Sequence, residues 1–110
     1  VHALVGSLSG GQRQAVAIGR TVAQNSRIVI LDEPTAALGV EQQQFVLDLV
    51  HQLKAHGHSI IIISHNLLHV FSVADRITVL RGGRNVGVRT KAETTSDEII
   101  KLIVGAEMLG

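Results

Sequence analysis

Two short, unbroken apolar runs dominate the hydrophobic pattern of this chain. They occupy residues 28–31 and 60–63 and consist of Ile, Val and Leu, a composition typical of parallel strands covered on both faces. Between them, apolar side chains recur at helical spacing over residues 40–56, and Gly57 favours a helix end there. The order strand, helix, strand predicts two parallel neighbours joined by a right-handed crossover, the basic unit of an α/β protein.

Helices and a hairpin are predicted on either side of this unit. The pair Gly82-Gly83 favours a tight hairpin turn, because glycine tolerates the positive φ angles that such turns need. Thr95 with Glu98 three residues later matches a capping box, and Gly105 favours the end of the helix that follows. The predicted elements are a helix over residues 13–24, a short helix over 67–74, hairpin strands over 76–81 and 84–88, and a final helix after Thr95.

The composition narrows the class of protein. The chain has 110 residues, of which 45% are hydrophobic and 2% aromatic, with a net charge of +1 and no cysteine. The small charge and the scarcity of aromatic residues disfavour binding to nucleic acid, which needs basic surfaces or stacking platforms. No apolar run approaches the roughly 20 residues of a membrane-spanning helix. Because the chain begins with Val rather than Met, we expect a fragment of a longer protein.

Polar side chains follow both predicted strands at the point where each strand ends. Asp32 and Glu33 come after the first strand, before the turn that Pro34 requires, and His65 comes after the second. Ligands bind at the carboxyl ends of parallel strands, where carboxylates suit Mg²⁺ or orient an attacking water. We therefore expect His65 beside the two acids, with an acidic turn and a structural histidine as the simpler alternatives. His69 lies four residues after His65, but without a third ligand this spacing does not predict a zinc site.

A second candidate site precedes the first predicted helix. It consists of Ser9, Gly10, Gly11 and Gln12. A serine hydroxyl and free backbone N–H groups, placed at the positive end of a helix dipole, form an arrangement that attracts phosphate. An ordinary capped helix is the alternative interpretation of this stretch.

Three motifs in order resemble those of ATP-binding cassette (ABC) ATPases. LSGGQRQ at residues 8–14 resembles the signature motif, IVILDEPT at 28–35 the Walker B motif, and IIIISHN at 60–66 the segment of the switch histidine. The stretches PTAALGV and SHNLLHVFSVADRITVLRGGR look most like ATPase subunits of bacterial monosaccharide importers of the ribose, xylose or fructose type. The resemblance covers nearly the whole chain and implies an α/β fold, a partial three-layer sandwich of the P-loop NTPase type.

The resemblance also implies cofactors and roles for the residues at the strand ends. The cofactors would be ATP and Mg²⁺, with Asp32 helping to hold the metal through water. Glu33 would act as the general base or as the carboxylate that positions water. His65 would contact the γ-phosphate. This arrangement agrees with the physical demands of phosphoryl transfer, which depends mainly on positioning and on stabilisation of charge.

The signature motif would act across a dimer. The residues that would meet the γ-phosphate of an ATP held mainly by a second ABC ATPase domain are Ser9, Gly10, Gly11 and Gln12. The competent unit would then be a head-to-tail dimer with two nucleotides at its interface. Chemistry and closure of the dimer would thereby be coupled.

The chain departs from the pattern of this family in two places. Gly39 stands where the family usually has an aspartate, in the loop that signals across the dimer. The sequence also lacks a G-x-x-x-x-G-K-[ST] phosphate loop, since the nearest candidate, Gly82 to Gly87, continues with Val88 instead of Lys. We therefore expect residues 1–110 to form the C-terminal part of one ABC ATPase domain and to be inactive alone.

The expected function of the whole protein is ATP hydrolysis that drives a carbohydrate importer. Its partners would be transmembrane permease subunits and, indirectly, a sugar-binding protein, with no nucleic acid involved. The expected location is peripheral, at the cytoplasmic face of the bacterial inner membrane. Two alternatives remain open: a non-transport ABC ATPase of DNA maintenance or translation, and a lobe that serves dimerisation without catalysis.

Overall fold

The strands and helices follow one another in the predicted order. The structure is a computed structural model that describes residues 10–23 and 27–105. Its elements are α1 (Gly10–Ala23), β1 (Ile28–Asp32), α2 (Val40–Ala55), β2 (Ser59–Ile63), α3 (Leu67–Val73), β3 (Arg76–Arg81), β4 (Arg84–Thr90), a 3₁₀ turn (Lys91–Glu93) and α4 (Ser96–Val104). None of the helices within these two ranges is long and apolar enough to span a membrane. The predicted α/β class is confirmed.

Strands β1 and β2 are parallel neighbours, as the strand, helix, strand pattern predicts. In the ladder Ile28 lies opposite Ser59, and Asp32 lies opposite Ile63. The backbone N–H of Glu33 donates a hydrogen bond to the carbonyl oxygen of Ile63 at 2.7 Å, which continues the pairing one residue beyond β1. Helix α2 forms the crossover, so both strands end at the same edge of the sheet.

Helices cover one face of this sheet in the part of the chain that the structure describes. The buried core on that face consists of Ile18, Val29, Leu31, Leu47, Val50, Leu53 and Val73, contributed by β1, α1, α2 and α3. The opposite face exposes Ile28, Ile30, Ile61 and Ile63 by 61%, 64%, 52% and 52%. The expectation that both faces are covered is wrong for these residues, because the three helices pack on the same side. These helices and the sheet form two layers of the expected three-layer sandwich.

The hairpin of β3 and β4 packs against α4 to form a second unit. Its turn has φ angles of 59° at Gly82 and 76° at Gly83, in the left-handed region that glycine adopts without steric cost. The Oγ1 atom of Thr95 accepts a hydrogen bond from the backbone N–H of Glu98 at 3.2 Å, which confirms the predicted cap of α4. The helix ends before Gly105, whose φ is 87°. The buried core of this unit consists of Ile77, Val79 and Ile99.

The carboxylate of Glu98 joins α4 to the hairpin. Its Oε1 atom accepts hydrogen bonds from the Thr94 hydroxyl and, at 3.1 Å, from Nε of Arg89 on β4. The hydrogen bond from Thr94 and the charge of Arg89 together lower the pKa of Glu98 below its ordinary value of 4.5, because both favour the ionised carboxylate. The Glu98 side chain therefore pairs with β4, whereas the full capping box would return it to the Thr95 backbone.

Helix α1 begins earlier than its apolar pattern predicts. It starts at Gly10 and not at residue 13, so Gly10, Gly11 and Gln12 form the first helical turn, while Ser9 lies outside the described residues. Backbone N–H groups at the N-terminus of a helix point out of it and attract anions. Those N–H groups are the donors that the phosphate hypothesis requires, and the hypothesis now concerns a helical turn and not a preceding loop.

Candidate functional site

The candidate site lies at the edge where β1 and β2 end. Asp32 is the last residue of β1 and is exposed, and Glu33 follows it directly. Nδ1 of His65, two residues beyond β2, lies 2.7 Å from Oε1 of Glu33. An ionised carboxylate only accepts hydrogen bonds, so Nδ1 carries the proton and donates it. The predicted meeting of His65 with an acid at this edge is confirmed for Glu33.

The contact between Glu33 and His65 is open to solvent. The side chain of His65 is 87% exposed and that of Glu33 is 35% exposed. With Nδ1 engaged, the Nε2 atom of His65 remains on the far side of an exposed ring. The pair can therefore approach a ligand that lies above the sheet edge, as ligands of parallel α/β sheets do.

The loop after β1 is held in an unusual backbone conformation. Glu33 has a φ of 50° and Ala37 a φ of 62°, a left-handed region that residues with a side chain occupy at a cost of about 1–3 kcal/mol each. Backbone hydrogen bonds from Ala36 to the Glu33 carbonyl at 3.2 Å and from Leu38 to the Thr35 carbonyl at 3.3 Å form successive turns. Such strain is typical of functional sites, where the surrounding contacts keep a side chain in one orientation.

A second polar contact joins the same loop to α3. Oγ1 of Thr35 lies 2.8 Å from Nδ1 of His69, and Thr35 is 5% exposed. Sequence reasoning missed this pair, because it considered His69 only as a companion of His65 for zinc. The sequence offered a signal for this second contact. Thr35 lies two residues after Glu33 and His69 lies four residues after His65, so both follow closely the residues that were predicted to meet.

The acidic residues at this edge suit a magnesium ion shared with phosphate. Within residues 10–23 and 27–105 there is no group of three or more His, Asp or Glu side chains that could hold a metal ion. Mg²⁺ in phosphate-transferring enzymes is commonly bound by one or two carboxylates, with waters and substrate phosphates completing the octahedron. The exposed carboxylate of Asp32 beside Glu33 fits that mode of binding and not a site built wholly from protein ligands.

The residues expected from the signature motif belong to a different element. Gly10, Gly11 and Gln12 lie in the first turn of α1, and the side chain of Gln12 is exposed. Asp32, Glu33 and His65 lie at the end of the β1–β2 sheet. The structure thus brings the acids and the histidine together, and the roles assigned to all of these residues stay predictions.

Comparisons with known proteins bear on the family and the fold of this parallel α/β unit. Residues 1–36 match the ABC transporter family, and the chain as a whole is similar to the ATP-binding proteins of sugar importers. It is 47% identical over 102 residues to the xylose import ATP-binding protein XylG of Moorella thermoacetica. It is 45% identical over 107 residues to the fructose import ATP-binding protein FrcA of Rhizobium meliloti.

Solved structures of cassettes share this fold. A nucleotide-free ATP-binding cassette from an ABC transporter superposes with a TM-score of 0.76 at 28% identity, covering 94% of this chain and 40% of that one. A dimeric cassette in a post-hydrolysis state, bound to ADP and Pi, superposes with a TM-score of 0.64 at 29% identity, covering 78% of this chain and 37% of that one. The predicted P-loop NTPase type of fold is thereby confirmed.

The chain spans only part of the length of its relatives. It aligns over 93% of its own length with 20% of XylG, and over 97% of its own length with 41% of FrcA. The activity, substrate and partners of those longer proteins are therefore stated for this chain only as proposals.

Proposed function

We propose that residues 1–110 are the C-terminal part of one ABC ATPase domain, in a protein that hydrolyses ATP to drive the import of a carbohydrate. The observation that carries the proposal is the hydrogen bond between Glu33 and His65 at the shared end of two parallel strands. Relatives named as xylose and fructose import proteins support a monosaccharide as the cargo. The particular sugar is left open by relatives that differ in their named substrate.

The proposed chemistry assigns a separate task to each residue at the sheet edge. Bound Mg²⁺ would neutralise charge on the phosphates, and Asp32 is the residue that would hold it, through water. Glu33 would accept the proton of the attacking water or orient that water. His65 would contact the γ-phosphate through its exposed ring while Nδ1 stays on Glu33, so that one contact orients both side chains. Such positioning is the main protein contribution to phosphoryl transfer.

The first turn of α1 would serve a nucleotide held mainly by a second cassette. The residues proposed to meet its γ-phosphate are Ser9, Gly10, Gly11 and Gln12. A helix N-terminus offers backbone N–H groups and a positive dipole end to an anion. A solved cassette of the same fold is dimeric and bound to ADP and Pi, which supports a dimer as the competent unit. Two domains in head-to-tail orientation would then be needed for hydrolysis.

The partners follow from the proposed importer. They would be a second ABC ATPase domain and transmembrane permease subunits, with a sugar-binding protein engaged indirectly. The location would be peripheral, at the cytoplasmic face of the bacterial inner membrane. Because the 110 residues contain no G-x-x-x-x-G-K-[ST] phosphate loop, this chain alone would release no phosphate from ATP. We call the chain together with the phosphate-loop half of its domain the complete cassette.

The test is Mg²⁺-dependent phosphate release from ATP by the complete cassette and by its Glu33→Gln variant. Glutamine keeps the shape and the oxygen that accepts from His65, but removes the basic carboxylate. We expect kcat to fall by about 10²- to 10⁴-fold, the usual contribution of a general base. Glu93→Gln is the matched control, since Glu93 is an exposed glutamate in the 3₁₀ turn. Undiminished activity in Glu33→Gln, or hydrolysis by the 110-residue chain alone, would contradict the proposal.

A further inference from the structure

The exposed contact between Glu33 and His65 is too weak to fix the relative orientation of the two side chains. Ion pairs and hydrogen bonds between exposed side chains contribute little to stability, and the His65 side chain is 87% exposed. A single contact also leaves the two groups free to rotate about it. The backbone hydrogen bond from Glu33 to Ile63 joins the two segments where they leave the sheet, but it does not orient the side chains beyond that point.

The contact between Thr35 and His69 joins the same two segments at a second point. It is 2.8 Å long and involves a threonine that is 5% exposed. Burial protects a hydrogen bond from competition with water, so breaking this one would leave a buried hydroxyl without a partner, which is unfavourable. Two contacts between the same segments define an orientation as well as a distance.

Helix α3 makes this second point rigid. Asn66 caps the helix, with its Oδ1 accepting from the backbone N–H of His69 at 3.2 Å, and the backbone N–H of Asn66 donates to Oγ of Ser64 at 3.0 Å. His65 immediately precedes this cap, and His69 is the third residue of the helix. His69 therefore belongs to the capped first turn of α3, which follows His65 directly.

Helix α3 is also held at its other end. Nζ of Lys54 on α2 donates to the carbonyl oxygen of Val73 at 2.6 Å and to Oδ1 of Asp75 at 3.2 Å. This contact lies one helix length away from His65. It stabilises the helix without touching the loop after β1, and it offers a control for effects of general loosening.

We propose that Thr35 and His69 are a pair of positioning residues that set the alignment of Glu33 with His65. The inference rests on the proposed hydrolytic function of that site. Neither residue touches the nucleotide in this role. Their hydrogen bond holds the strained loop, in which Glu33 has a φ of 50°, against the first turn of α3. Without it the loop relaxes and the Glu33 carboxylate leaves its place beside the imidazole of His65.

The kinetic test uses the complete cassette with Thr35→Val and Thr35→Ser. Valine keeps the shape of threonine and removes the hydroxyl, whereas serine keeps the hydroxyl. We expect Thr35→Val to lower kcat at least about tenfold with KM for ATP unchanged, since small misplacements of catalytic groups cost up to about 10²-fold. Thr35→Ser should restore kcat to near the wild-type value. Adding His69→Phe to Thr35→Val should lower kcat no further, because both changes break the same contact.

Lys54→Met is the control for a merely structural effect. It removes the contact at the far end of α3 and should lower the unfolding free energy while leaving kcat near the wild-type value. A loss of kcat in Lys54→Met equal to that in Thr35→Val would overturn the proposal, because general loosening of α3 would then explain both. Wild-type kcat in a folded Thr35→Val cassette would overturn it as well.

A spectroscopic measurement separates this inference from the proposed function. The imidazole ¹⁵N signals of His65 report its hydrogen bond to Glu33 whether or not ATP is hydrolysed. In a histidine-labelled cassette, the signals in Thr35→Val should move towards those of Glu33→Ala, in which the bond cannot form, and Thr35→Ser should keep them at wild-type positions. If Thr35→Val shows this shift but the wild-type cassette releases no phosphate, the proposed function is wrong and the positioning role stands. Unmoved His65 signals in Thr35→Val would sink the positioning role.

Discussion

The exposed face of the β1–β2 sheet predicts that the 110-residue chain self-associates. Four isoleucines lie on this face, and Ile30 is the ladder partner of Ile61. Their exposed fractions are 64% and 52%, which are high values for isoleucines at the centre of two paired strands. A face of this kind is more stable when covered, and in a solution of the isolated chain the available cover is the same face of a second copy.

The free energy available to this association follows from the exposed fractions. Complete burial of an isoleucine side chain contributes about 1.5–3 kcal/mol, so four residues that are half to two-thirds exposed offer about 4–6 kcal/mol in total. Threonine keeps a β-branched side chain that suits a strand and retains one methyl group, so Ile30→Thr and Ile61→Thr together remove about 1–1.5 kcal/mol per chain, or about 2–3 kcal/mol from an association of two chains. The dissociation constant of the associated state should rise about 30- to 150-fold.

Sedimentation velocity over a range of protein concentrations measures this association. Val40→Thr is the matched control, since Val40 is 81% exposed at the start of α2 and lies away from the open face. We expect Val40→Thr to associate like the wild type and the Ile30→Thr, Ile61→Thr double variant to dissociate at higher concentration. A monodisperse wild-type monomer, or a double variant with unchanged association, would refute the reasoning.

Two further predictions concern stability. Gly39 occupies the N-cap of α2 with φ −70°, ψ 170° and no side-chain cap, and a Cβ there would meet only the flexible end of Gln42, at 2.6 Å and 3.6 Å. We therefore expect the free energy of unfolding, measured in urea, to be about 1 kcal/mol higher for Gly39→Asp than for Gly39→Ala, because only aspartate can cap the helix. Equal values for the two variants would contradict this. The pKa of Glu98 is lowered from 4.5, chiefly by the hydrogen bond from Thr94 and also by Arg89. The ionised Glu98 therefore stabilises the folded state above pH 4.5, and this stabilisation is lost as the pH falls through the lowered pKa. Glu98→Gln should lose less stability than the wild type when the pH is brought below 4.5, and identical pH profiles would count against the assignment.

Local features of the sequence determined most of the secondary structure. The runs at residues 28–31 and 60–63, the Gly82-Gly83 turn and the Thr95 cap each act within a few residues, so their effect can be read without knowledge of the fold. The parallel pairing of β1 with β2 also followed, because a helix between two buried strands leaves little choice of topology. The meeting of Glu33 with His65 was predictable for the same reason, whereas the catalytic and binding roles of the site residues stay predictions.

Tertiary structure alone decided which surfaces are covered and which distant side chains pair. Four successive isoleucines at residues 60–63 have no polar alternation, so their pattern cannot distinguish a strand buried on one face from a strand buried on both. The contacts of Thr35 with His69 and of Lys54 with Val73 join residues 34 and 19 positions apart. Such pairs depend on where α3 packs, which long-range burial sets and no local propensity encodes. The sequence by itself therefore determined the elements and the edge at which the candidate site lies, and packing decided how its side chains are held there.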